Sequence, residues 1–97
     1  MLITIIEAHV PPEKWKDVEI AYQEKVKHVP PQLERTFLIQ DKVDHEVWRI
    51  ISFWRSEAAY EEASQTGAHD TCMDIFRPIE VKATRRVFGV LARHEHV

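Results

Sequence analysis

Ninety-seven residues, 44% hydrophobic and 30% charged with a formal net charge of −3, are enough for one globular domain with a single modest core. The basic residues are dispersed, so the clustered positive face that a phosphate backbone needs is absent and nucleic acid is not an expected partner. Cys72 stands alone, which excludes an intrachain disulfide, and no run approaches the roughly 18 apolar residues of a membrane span; the expected location is cytoplasmic, with no membrane partner.

Residues 2–10 alternate and are rich in β-branched side chains, predicting a first strand. That apolar lead has neither a positive start nor a small-residue cleavage site, so it is expected to be retained. Pro11-Pro12 followed by Glu13 opens a helix, because proline fits the first turn and the dipole favours a carboxylate there. Trp15, Val18, Tyr22, Val26 and Val29 recur at spacings of three and four as one apolar stripe, and Pro30-Pro31 stop the helix near His28. Thr36 to Lys42 predicts a second strand. The short connection at Asp44-His45 and the third strand that follows it make an antiparallel hairpin. Ser56 can cap a second helix with Glu57 in its first turn; Ala59, Tyr60 and Ala63 line it, and Gly67 breaks it. Residues 69–77 read as a further helical piece with Met73 and Phe76 inward, closed by Pro78. Val81 to Leu91 predicts the last strand, with Gly89 weakening its end, and residues 91–97 a loose tail.

The third strand carries the strongest architectural signal. Trp48, Ile50, Ser52 and Trp54 share one face, and Val47, Ile51 and Phe53 share the other, interrupted by Arg49. A strand apolar on both sides needs cover on both sides. The order β-α-β-β-α-β over residues 1–97 predicts one α+β, ferredoxin-like domain, with helices on one face of a four-stranded antiparallel sheet. The bare face then shows Ile3, Ile5, Val47, Ile51 and Phe53, a patch seldom left to water. A second copy packed face to face would close a dimeric barrel, with Glu7, His9 and Arg49 pairing in or near the contact.

The stretch from Phe53 to Tyr60, FWRSEAAY, resembles the strand-Trp-x-Ser-x-x-Ala-aromatic segment of the antibiotic biosynthesis monooxygenase-like superfamily, as do the element order, the length and the Pro-Pro-Glu-Lys helix start. The resemblance covers residues 1–90 and implies a small dimeric α+β barrel. That superfamily holds cofactor-independent monooxygenases, quinol-oxidising enzymes and haem-degrading enzymes, so shared fold leaves activity open. In the cofactor-free enzymes the pocket lies between sheet and helices. Its wall includes a tryptophan at the end of strand three and a tyrosine in the next helix, positions that Trp54 and Tyr60 occupy. Their strand-three asparagine corresponds to Ile50, and their late arginine to the stretch holding Asp74, with Arg77 nearby. The haem-degrading branch needs an asparagine, and this chain has none; its helix tryptophan falls near Ala63 and its ligand near Met73, with His69 one turn earlier.

Other sites are mostly excluded by the residues themselves. Two distant glycines cannot form a phosphate-binding loop, and no Cys-x-x-Cys or paired helix histidines are present, so no metal site and no cofactor are expected. His94 and His96 lie in the tail, His28 closes a helix, and Cys72 is a small core or surface residue. Trp54 and Tyr60 have two readings: a core pair sealing the strand-helix junction, or the wall of a pocket for a flat aromatic ligand. His69 follows the Gly67 break, and histidine is the residue type suited to a general base near neutral pH. The enzyme reading is a cofactor-independent monooxygenase or quinol oxidase of a phenol or hydroquinone, a small aromatic partner. In it Tyr60 and Trp54 donate to the oxyanion, His69 takes the proton, and Phe37, Ile50, Met73 and Phe76 form apolar lining. The alternatives are a non-catalytic ligand-binding barrel and a proton-moving isomerase or lyase.

Overall fold

Strict alternation in two strands decides which side of the sheet becomes the core. The structure, a computed structural model, describes residues 1–96. Its strands are β1 (Leu2–His9), β2 (Leu33–Gln40), β3 (Val47–Trp54) and β4 (Ala83–Gly89); its helices are α1 (Trp15–Lys25) and α2 (Glu57–Gln65). The strands form one antiparallel sheet in the order β2-β3-β1-β4. This is the ferredoxin-like βαββαβ arrangement, with the helices on one face.

On the helix side Leu2, Thr4, Ile6 and Ala8 of β1 lie beside Trp48, Ile50, Ser52 and Trp54 of β3, all buried. Val18 of α1, Ile75 and Phe76 complete this layer, and Trp15, Tyr22 and Met73 pack against it. Burying each large aliphatic or aromatic side chain here contributes about 1.5–3 kcal/mol. Trp15 packs at a tilt against Trp48 with ring centres 6.0 Å apart and donates its indole N–H to the Val10 carbonyl at 2.8 Å. On the other side Ile3, Ile5, Val47, Ile51 and Phe53 stay half-buried, joined by the more exposed Phe37, Ile39 and Phe88. Glu7 and Arg49, opposite each other in the ladder, pair there at 2.7 Å, and Asp41 stands 3.6 Å from Arg49. His9 takes no part in that pair.

The Ser56 hydroxyl accepts from the Ala59 N–H at 3.0 Å and caps α2, a contact worth about 1 kcal/mol. Ala59 and Ala63 are buried and small, so Tyr60 comes down against Trp54.

The bounds of β2, of the 69–77 segment and of β4 differ from expectation. β2 begins at Leu33 rather than Thr36, because Leu33 pairs with Trp54 through an irregularity before Arg35. It stops at Gln40, because the Asp41 carboxylate accepts from the Val43 and Asp44 amides at 2.8 and 2.9 Å and turns the chain. The segment expected as a helix over 69–77 is three short 3-10 turns, Ala68–Asp70, Met73–Ile75 and Arg77–Ile79. Gly67 enters it at φ 78°, the Thr71 hydroxyl bonds back to the Ala68 carbonyl, and Pro78 offers no N–H, so continuous α-helix is not sustained. β4 is shorter than Val81–Leu91 at both ends; Val81 is a buried plug and Glu80 turns the chain at φ 62°. Residues 91–96 carry no regular structure, and Val97, the last residue of the expected tail, lies outside the described residues. Among the described residues no helix is long and apolar enough to cross a membrane.

Candidate functional site

Beneath the helices, at the Trp54 end of the sheet, three rings meet. Tyr60 stands edge-on to Trp54, with centres 5.0 Å apart, and His69 stands edge-on to Tyr60 at 5.8 Å. β3 places Trp54, the capped first turn of α2 places Tyr60, and the left-handed Gly67 swings His69 back over them. The Trp54 indole N–H donates to the buried Thr4 hydroxyl at 3.0 Å. Among the described residues His69 Nδ1 is buried with no hydrogen-bond partner. An unmet buried polar atom costs about 1–3 kcal/mol, so its presence asks for a reason.

The other edge of the His69 ring faces charge. Its Nε2 lies 3.6 Å from Asp70 Oδ1, the oxygen to which Arg85 donates from β4, and Arg77 reaches Oδ2 at 3.6 Å. Burial pushes the Asp70 carboxyl up, but the Arg85 hydrogen bond and the nearby His69, Arg85 and Arg77 charges outweigh it and hold it below the ordinary value of 3.8. Arg77 also pairs with Asp74 at 2.6 Å.

A row of hydroxyls crosses the middle of the same face. Thr36, Ser52 and Thr4 are neighbours across β2, β3 and β1; Ser52 donates to Thr36 at 3.3 Å and lies 3.7 Å from the Cys72 sulfur. Burial pushes the Cys72 thiol up from its ordinary value, against weaker opposing hydrogen bonds with Ser52 and Thr36, so it is a poor nucleophile. A cavity of about 430 Å³ opens between α1 and β2 at the end of this row, bordered by Tyr22, Thr36, Phe37 and Leu38. Another of about 430 Å³ lies on the opposite face over Ile5, Glu7, Arg49, Arg86 and Phe88. Among the described residues no group of three acidic, histidine or cysteine side chains could hold a metal ion.

The family model described as antibiotic biosynthesis monooxygenase matches residues 1–74. The chain belongs to this family. No curated protein matches it. Among solved structures, a crystal structure of an antibiotic biosynthesis monooxygenase is 20% identical with a TM-score of 0.69, covering 95% of this chain and 100% of that one. SnoaB, a cofactor-independent oxygenase from Streptomyces nogalater, is 14% identical with a TM-score of 0.62, covering 95% of each chain. A conserved protein from Methanosarcina mazei is 12% identical with a TM-score of 0.68 over 91% of each. At these identities the likeness to solved structures is one of fold.

Of the residues expected at an antibiotic biosynthesis monooxygenase site, the structure brings Trp54, Tyr60 and His69 together. Ile50 and Phe76 are core residues, 0% and 1% exposed, with Met73 packed against them. Phe37 stands apart from the three rings and borders the cavity at Tyr22, Thr36 and Leu38. Strand alternation turns Thr36 and Leu38 of β2 inward and Phe37 outward, where its ring meets Phe53 edge-on at 6.1 Å. The one N–H of Trp54, expected as an oxyanion donor, is engaged by Thr4 in this structure. Arg77 stays half in solvent, bound to acidic partners. Sequence reasoning missed the Thr4-Ser52-Thr36 row and the Asp70-Arg85 pair. Parity held the signal for both: Thr4 and Ser52 alternate with buried apolar residues, and Arg85 shares the inward register of Ala83.

Proposed function

We propose that this protein is a small cofactor-independent monooxygenase or quinol oxidase that takes a phenol or hydroquinone between its sheet and helices. The observation that carries the reading is the buried, unpartnered His69 Nδ1 beside Tyr60. A nitrogen in that state is ready to accept a proton from a ligand hydroxyl. Tyr60 offers the hydroxyl that would donate to the resulting oxyanion, and Trp54 backs its ring. The deprotonated aromatic is itself electron-rich enough to reduce oxygen. A hydroquinone then gives quinone and hydrogen peroxide. An activated methylene instead takes one oxygen atom as a carbonyl and releases the other as water. The protein supplies orientation, a base and shelter from water.

The same reading has a second copy of the chain covering the outer face, whose Ile3, Ile5, Ile51, Phe53 and Phe88 are otherwise left to solvent, and places the dimer in the cytoplasm. A binding barrel without catalysis is the second reading. It is favoured by the cavity at Tyr22, Thr36 and Leu38, which does not include His69, and by the engaged Trp54 N–H.

Oxygen uptake by chelator-treated protein over anthrones, hydroquinones and polyphenols tests the proposal. Turnover that survives chelation and falls at least about tenfold in Tyr60→Phe and in His69→Gln, part of the 10²–10⁴ that a positioned acid or base supplies, is expected. Turnover unchanged in His69→Gln would remove the base. No uptake, with saturable quenching of tryptophan fluorescence by the same compounds, would favour the binding barrel.

A further inference from the structure

We propose that Asp70, held by Arg85, is a positioning residue that fixes the tautomer of His69 and leaves Nδ1 as its basic nitrogen. This rests on the reading of His69 as the proton acceptor. A neutral imidazole carries one proton, on either nitrogen, and the group opposite each nitrogen decides which. Asp70 Oδ1 lies 3.6 Å from Nε2, with the His69 side chain 18% and the Asp70 side chain 31% exposed. A lone pair on Nε2 would face a carboxylate oxygen; a proton there faces it favourably. The lone pair is therefore left on Nδ1, the buried atom that no protein group meets.

The carboxylate is anchored by a strand rather than by its own loop. Arg85 pairs with Ile6 in the middle of the β1–β4 ladder, points to the helix side and donates to Asp70 Oδ1. Arg77, from the last 3-10 turn, stands 3.6 Å from Oδ2 and is itself held by Asp74. The groups facing His69 are thus Tyr60 from α2, Asp70 from its own turn, and Arg85 and Arg77 behind Asp70. The two guanidinium groups favour the charged form of Asp70, so the carboxylate that faces Nε2 is held in place and negative.

The test is the ring-nitrogen spectrum of ¹⁵N-labelled full-length protein, with His69 assigned by its loss in His69→Gln. In the unvaried protein, neutral His69 is expected to show a protonated Nε2 and a bare Nδ1. Asp70→Asn and Arg85→Gln should each move it to a mixture of tautomers, and Arg85→Lys should restore it. A proton on Nδ1 in the unvaried protein, or a tautomer unmoved by Asp70→Asn, overturns the proposal. Where a variant folds poorly, a proton on Nδ1 in the unvaried protein still overturns the proposal. Where a substrate is turned over, Asp70→Asn should lower kcat on the order of tenfold, a fraction of the 10²–10⁴ a placed base supplies, with KM nearly unchanged and the acid limb of the pH profile displaced. The expected tautomer in a protein that oxidises nothing would sustain this inference and sink the oxygenase reading instead.

Discussion

The two faces of the sheet are cut from the same strands and end in different states. On the inner face Ile6, Ile50 and Trp54 are 1%, 0% and 2% exposed, and the polar groups that went in with them, Thr4 and Ser52, are hydrogen-bonded to neighbours. On the outer face Phe37 and Phe88 remain 48% and 42% exposed, and the charged groups meet each other across the ladder. One face is completed by the chain's own helices; the other is apolar without cover. Damage to the first should therefore appear in folding free energy, and damage to the second in association.

The sharpest way to break that comparison is Trp54→Ala. It empties the inner face of its largest side chain at the corner where β3, α2 and Thr4 meet, and should cost about 3–5 kcal/mol in urea unfolding. A loss below about 1 kcal/mol would mean that this corner is not close-packed. Its counterpart is Phe53→Glu, one residue away on the opposite face. That side chain is half-buried, so the unfolding free energy of a single chain should change by no more than about 1 kcal/mol, while sedimentation should show the proposed dimer converted to monomer. A folded dimer that tolerates the charge would remove the outer face as the contact.

The same two faces explain what could be read without coordinates. Period-two alternation in β1 and β3 named the inward and outward residues correctly, because a strand offers each side chain only two directions. The capped start of α2 was legible because Ser56 acts locally. The segment after Gly67 was not. Its three short turns depend on where Pro78, Thr71 and the core beneath Phe76 pull the backbone, and helical spacing alone does not separate one continuous helix from such turns. Trp54, Tyr60 and His69 could be grouped because the strand-helix junction links them closely in sequence. Arg85 could not be joined to Asp70, fifteen residues away, until the order β2-β3-β1-β4 put β4 beside β1. Phe37 was read from its aromatic character; parity turns its ring outward, so it borders the cavity beside Thr36 and Leu38 from the outer side.

A smaller effect separates packing from hydrogen bonding on the inner face. Thr4→Val keeps the shape and removes the oxygen that accepts from the Trp54 indole, so the N–H is buried unmet, at a cost of about 1–2 kcal/mol. Thr4→Ser keeps the oxygen and loses a methyl, and should recover part of the difference. If valine proves as stable as threonine, the indole N–H has found another partner and the inner face is less rigid than its geometry indicates.

The smallest effect lies in the response to acid, and it too has an inner and an outer member. Asp41, at the rim of the outer face, is held below 3.8 chiefly by the backbone N–H groups of Asp44 and Val43. Asp70, on the helix side, is held below 3.8 against its own burial by the Arg85 hydrogen bond and the cations around it. In both, the folded value is depressed, so each contribution is fully present above the ordinary carboxylate value and is lost as pH falls through the folded one. Asp70→Asn and Asp41→Asn should each flatten the acid side of the stability curve and leave its slope near neutrality unchanged. Salt distinguishes them. The Asp70 contribution runs through partly sheltered guanidinium partners and should shrink as ionic strength rises, whereas Asp41 is favoured mainly by two short backbone contacts and should respond less. Equal salt dependence in urea titrations of the two variants would show that the Asp70-Arg85 pair is no more than another turn contact. A larger dependence for Asp70 would tie the His69 corner electrostatically to β4.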